Sequence, residues 1–191
     1  MIDFQPVRDG EKTMQQLAAS LTRAELANLT NEMVDTQLAA LAKADDEDIV
    51  LVPDDPGAND TFATDPDAVN LSWTMGHVIV HVTASSEESA ALALTLARGL
   101  EVTGRSRYET PWEEATSVDF VRRRLEDSRR MRLAMLEAWP DPPHLDNYYR
   151  VSEERPPMNA LARFLSGLSH DDSHLGQIRG IMAQGRARHP R

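Results

Sequence analysis

Six histidines stand in the chain, and four of them form two pairs at a spacing of four: His77 with His81, and His170 with His174. On an α-helix, residues four apart lie about 40° apart around the axis and one turn along it, so both rings face one side. Two imidazoles placed in this way can close on one ion at roughly 2.0–2.2 Å. The chain contains no cysteine. Thiolate nucleophiles, disulfides and cysteine zinc sites are therefore excluded, and any metal must take nitrogen and oxygen ligands. The structural alternative for each pair is a hydrogen-bonded polar residue beside the core. Two pairs in separate helical segments favour the metal.

Acidic residues accompany both pairs. Glu88 falls on the same helical strip as His77 and His81 and is a candidate for the pocket. In His170-Asp171-Asp172-Ser173-His174, both aspartates lean toward the apolar side and need partners. Asp171 fits two partners equally: a histidine ring N–H beside the metal, or an arginine from the third helix. The segment has the spacing of the metalloprotease helix, but Asp171 stands where that helix has glutamate, one methylene short, and no third ligand follows. Gln177 lies about 20° around the helix from His170, placed to orient a ligand or to bond another helix.

Four segments with helical periodicity must position these groups. The first spans residues 10–43, with Thr22 or Asn28 as a break. The second spans 70–102, capped by Asn70 or Ser72 and ended between Gly99 and Gly104. The third runs from the N-cap Ser117 to Trp139, and the fourth covers 159–184 after Pro156-Pro157. Residues 49–52 (Ile-Val-Leu-Val) are apolar and β-branched, and read as an edge strand or a loop tucked against the helices. Residues 54–67 read as a long surface connection, and 186–191 as a frayed tail. Tyr108, Trp112, Tyr148 and Tyr149 sit in connections where they rim a pocket or cover the core ends. Four amphipathic helices with no sheet predict an all-α fold, a four-helix bundle with long connections, in a single domain over 1–191.

Hydrophobic residues make up 41% and charged residues 27%, the balance of an ordinary folded domain. The formal charge of −11 repels phosphate backbones, so no nucleic-acid partner is expected. The arginines at 122–124, 129, 130 and 132 are interleaved with acids and read as a solvated helix face. No apolar run is long enough to cross a bilayer and no signal peptide is visible, so a cytoplasmic protein without a membrane partner is expected.

Two motifs give the chain a family resemblance. Trp73 is followed eight residues later by His81, and the last helix reads His-x-x-x-His-x-Gly-Gln-Ile at His170, His174, Gly176, Gln177 and Ile178. In both, the chain resembles the DinB-like (YfiT-like) superfamily of metal-dependent four-helix-bundle proteins, over most of residues 10–184. The resemblance implies an up-down-down-up bundle, commonly a homodimer, with nickel or zinc as the ion. It implies a metal triad of His81, His170 and His174, with His77 the competitor for the second-helix role. It also implies the activities of relatives: metal-dependent hydrolysis, or transfer and isomerisation using a low-molecular-weight thiol. The rival reading is a non-catalytic metal-binding or dimerisation bundle. No catalytic residue is assigned; His77, Glu88 and Asp171 are general-base candidates on position alone.

Overall fold

The computed structural model describes residues 1–60, 66 and 69–188. Among them are seven α-helices and no strand: α1 (Gln5–Arg8), α2 (Met14–Ala18), α3 (Arg23–Ala40), α4 (Asp46–Val50), α5 (Met75–Ala97), α6 (Val118–Glu137) and α7 (Ala160–Arg188). A 3₁₀ turn, Trp112–Glu114, lies between α5 and α6.

Local chemistry sets the helix ends. The first periodic segment is broken at Thr22. Its side chain accepts from the Glu25 N–H while Glu25 accepts in return, a capping box that starts α3 afresh; Asn28 lies inside that helix. α5 begins later than the periodicity suggests. Thr74, not Asn70 or Ser72, caps it by accepting from the His77 N–H. It ends at Gly99, whose φ of +73° lets Gly99 and Leu100 donate back to Leu96 and Thr95 and so satisfy the last carbonyls. Ser117 caps α6 as expected. The Asn159 side chain accepts from the Ala162 N–H at the start of α7, which continues to Arg188, one turn past its expected end.

At 49–52, expected as an edge strand or a tucked loop, Ile49 and Val50 end helix α4 and Leu51 and Val52 follow it in neither helix nor strand. Asp45 and Asp48 form a capping box, and three acidic residues fill the first turn, where the helix dipole favours them. Ile49 points into the core from this helix. The surface connection expected at 54–67 lies partly outside the described residues, as do His189 and the last residues of the expected tail.

The four long helices form a closed ring of neighbours, α5 on α7 and α6, and α3 on the same two. Their directions follow from the residues that meet. His81 lies against His170 and Ser89 against Gly167, so α5 and α7 are antiparallel. Arg129 reaches Asp35 while Arg23 reaches Trp139, so α3 and α6 are antiparallel too. α5 and α6 run the same way: Gly76 abuts Ala115, just before α6, and Glu87 meets Arg124.

The core has two apolar clusters. One contains Ala93, Leu96, Leu161, Phe164 and Leu165; the other contains Val78, Ile79, Val82, Leu125 and Ile178. Between them along the helices lie buried polar groups from three elements. Asp171 on α7 accepts from Ser86 on α5 at 2.7 Å and from Arg132 on α6 at 2.8 Å. Burial pushes the Asp171 carboxyl upward, and Arg132 and Ser86 act against that push. Arg122, Arg124, Arg129 and Arg132 are therefore clasps between helices, whereas the exposed Arg123 and Arg130 keep to the solvated face expected. Arg124 pairs with Glu87, Arg129 with Asp35, Arg122 donates to the Leu41 carbonyl, and Arg132 is only 2% exposed.

Candidate metal centre

His170 and His174 lie one turn apart on α7, and His81 faces them from α5. The three offer ring nitrogens that all lie within 4.8 Å of one another, a group that could hold a metal ion. Nε2 of His81 and Nε2 of His170 are 3.2 Å apart. Two ligands of a tetrahedral ion at about 2.0–2.1 Å stand about 3.3 Å from each other, so this separation suits a shared ion. The donor set, three imidazoles and no thiolate, suits a first-row divalent ion that takes nitrogen ligands.

Metal binding requires neutral rings. Burial, reinforced by the neighbouring histidines, pushes His170 down from its ordinary 6.5 to about 3. Burial also lowers His174, with Gln177 opposing. Gln177 Oε1 lies 2.8 Å from His174 Nδ1. A carbonyl oxygen accepts only, so Nδ1 carries the proton and Nε2 keeps its lone pair for the ion.

His81 is held from its other side. Arg107 Nη2 lies 3.3 Å from its Nδ1 and Glu109 Oε1 lies 3.6 Å from the same atom. Arg107 and Glu109 are themselves joined through Nη2 and Oε2. Burial alone would raise the Glu109 carboxyl, but the His81 ring and the Arg107 guanidinium hold it at about 2. The guanidinium can only donate and the carboxylate can only accept, so together they fix the orientation of the His81 ring, with its Nε2 toward His170.

His77, one turn before His81, has a different environment. Its ring is stacked between Trp73, at 4.3 Å between centroids, and Trp112, at 5.2 Å. Burial lowers it to about 4, and its Nδ1 is buried without a hydrogen-bond partner. Trp73 also flanks His81 and His174, so one indole lies against three of the four rings. Trp112 comes this close because Gly76 has no side chain: a Cβ there would meet the Ala115 carbonyl oxygen at 2.0 Å.

Two cavities open on the histidines. One, of about 370 Å³, is lined by Leu71, Trp73, His81, His170, His174 and Gln177 among others. The other, of about 390 Å³, is lined by His77, His81, Ser85, Arg107, Glu109 and His170 among others. Of the residues singled out from the sequence, His81, His170, His174 and Gln177 come together and His77 lies beside them. Two do not. Glu88 receives a bidentate pair from Arg105, and Asp171 turns into the core to Ser86 and Arg132.

Arg107 and Glu109 are absent from the sequence reading because their segment has no helical periodicity. The available signal is alternation. Arg105, Arg107 and Glu109 face the histidines, while Ser106, Tyr108 and Thr110 line a separate cavity against α6. That is the period of two of an extended chain.

The fold and site define a class: helical proteins that place a three-histidine group between two packed helices. The chain belongs to the DinB superfamily, which it matches over residues 18–178. No curated protein and no solved structure in the comparisons matches it.

Proposed function

We propose that the protein binds one divalent ion, nickel or zinc, through His81, His170 and His174, and uses it to act on a small molecule. The reaction is either hydrolysis or transfer to or from a low-molecular-weight thiol. We read α3, α5, α6 and α7 as an up-down-down-up four-helix bundle, a reading supported by the antiparallel and parallel pairings above.

The observation that carries the proposal is the convergence of three imidazoles beside open cavities. His81, His170 and His174 would hold the ion, which would supply activation of a water or thiol at neutral pH. The surrounding residues have their own tasks. Gln177 orients His174, and the Arg107–Glu109 pair orients His81. Trp73, His77 and Trp112 form a stacked wall that excludes water from one side. Glu109, held near 2, is poorly matched to proton abstraction at neutral pH and acts as a positioning residue.

The test is metal analysis of untagged protein, followed by assay with thiol cosubstrates and simple esters. Stoichiometric nickel or zinc and turnover that is lost on chelation are expected. Protein that takes up no ion when reconstituted would refute the reading. A second reading, an ion that only staples α5 to α7, draws on the ligands coming from those two helices. It requires a large fall in melting temperature on chelation and no turnover.

A further inference from the structure

A third cavity, of about 1000 Å³, runs from the histidines toward the start of α7. It shares Ser85, Arg105, Arg107 and His170 with the cavity beside His81, so the two meet at the rim of the three-histidine group. Its far wall is made by residues 7–15, which precede the region matched to the superfamily.

The charge of this cleft opposes that of the chain. Six cationic side chains line it: Arg8, Lys12, Arg105, Arg107, Arg155 and Arg163. Glu88 is the one carboxylate among its described lining residues. Three of the cations are paired: Arg8 with Asp172, Arg105 with Glu88 and Arg107 with Glu109. Lys12, Arg155 and Arg163 form no ion pair with any described residue. Arg163 is the most constrained. Its Nη1 donates to Ser166 Oγ at 3.1 Å, but its Nε is buried with no partner. A buried guanidinium without its full set of acceptors is costly, and an arriving anion relieves that cost. In a chain of formal charge −11, a cleft lined this way focuses a local positive field on a small ligand.

We propose that this cleft binds the substrate and that the substrate is a small organic anion. Its carboxylate or phosphate group seats among Lys12, Arg155 and Arg163, and its reacting end reaches the rim at His170. The choice of the cleft as a substrate site rests on the metal-centre reading above; its affinity for anions does not.

The experiment therefore uses the full chain after chelation and desalting. Inorganic pyrophosphate and glutarate are titrated separately by calorimetry at low salt. One of them is expected to bind, pyrophosphate indicating a phosphate-bearing substrate and glutarate a carboxylate-bearing one. Affinity should fall at least about tenfold in Arg163→Met and in the double variant Lys12→Met/Arg155→Met. The double variant alters two exposed side chains, so it keeps the test valid if Arg163→Met fails to fold. Failure of both probes to bind, or wild-type affinity in the double variant, overturns the proposal. Anion binding by a chain that takes up no metal supports the cleft as an anion site and removes only the metal reading.

Discussion

The two histidine pairs share a spacing, and their surroundings give them different tasks. On α7, both rings of His170 and His174 turn toward His81, while Asp171 between them, about 100° around the helix from His170, turns into the core to Ser86 and Arg132. On α5, only His81 reaches the group, while His77 is stacked between Trp73 and Trp112. A spacing of four makes two rings available on one face. The element opposite that face decides whether both are used: for the α7 pair it is another histidine, and for His77 it is an indole.

The contrast is tested most strongly by alanine at each ring. His174→Ala and His170→Ala should lower metal affinity beyond the roughly 10–100-fold typical of outer partners, whereas His77→Ala should stay within that range. Metal titration of the chelated protein reads the difference, and equal losses at His77 and His174 would abolish the distinction. The next effect lies on the core side of the same helix. Asp171→Ala leaves Arg132 buried and unpaired, at a cost of about 3–5 kcal/mol. At roughly 2–4 °C per kcal/mol for a chain of this size, the melting temperature should drop on the order of 10 °C. The protein that remains folded should still bind metal; loss of metal without loss of stability would put Asp171 in the site instead.

Smaller effects are expected from the groups that hold the rings. Gln177→Ala and Glu109→Gln should each weaken metal binding about 10-fold or more, by releasing the Nδ1 of His174 and of His81. Unchanged affinity in both would show that packing alone orients the rings. The last effect is of pH on the metal-free protein. His77 and His170 sit at about 4 and 3 when folded, against 6.5 ordinarily, so between these values the unfolded chain binds more protons. Their contribution to stability is complete above pH 6.5 and is lost as pH falls toward 4 and 3. Thermal melts across that window should show falling midpoints, and His77→Ala should flatten the dependence.

Much of this was legible in the residues themselves. Periodicity located the long helices, and Ser117 marked the start of α6. The i, i+4 histidines and Gln177 pointed to one side of one helix, and α7 keeps them there. The errors have identifiable causes. Residues 49–52 read as a strand or a tucked loop because β-branched residues suit strands, but the acidic capping box ahead of them draws Ile49 and Val50 into a helix. Arg124, Arg129 and Arg132 looked solvated because charge patterning along one helix does not reveal carboxylates on its neighbours. Arg107 and Glu109 escaped notice because an extended connection has no helical face to read.

Local sequence thus determined what depends on near neighbours along the chain: helix spans, most caps, and the pairing of His170 with His174. The tertiary structure decided what depends on which surfaces meet. It selected His81 over His77 for the three-histidine group, sent Asp171 to Arg132 and Glu88 to Arg105, and brought Arg107 and Glu109 against His81. The physical reason is reach. A turn of helix relates residues four apart, whereas a ligand from α5, a carboxylate beside its ring and a clasp from α6 are set only when packed helices exclude water between them.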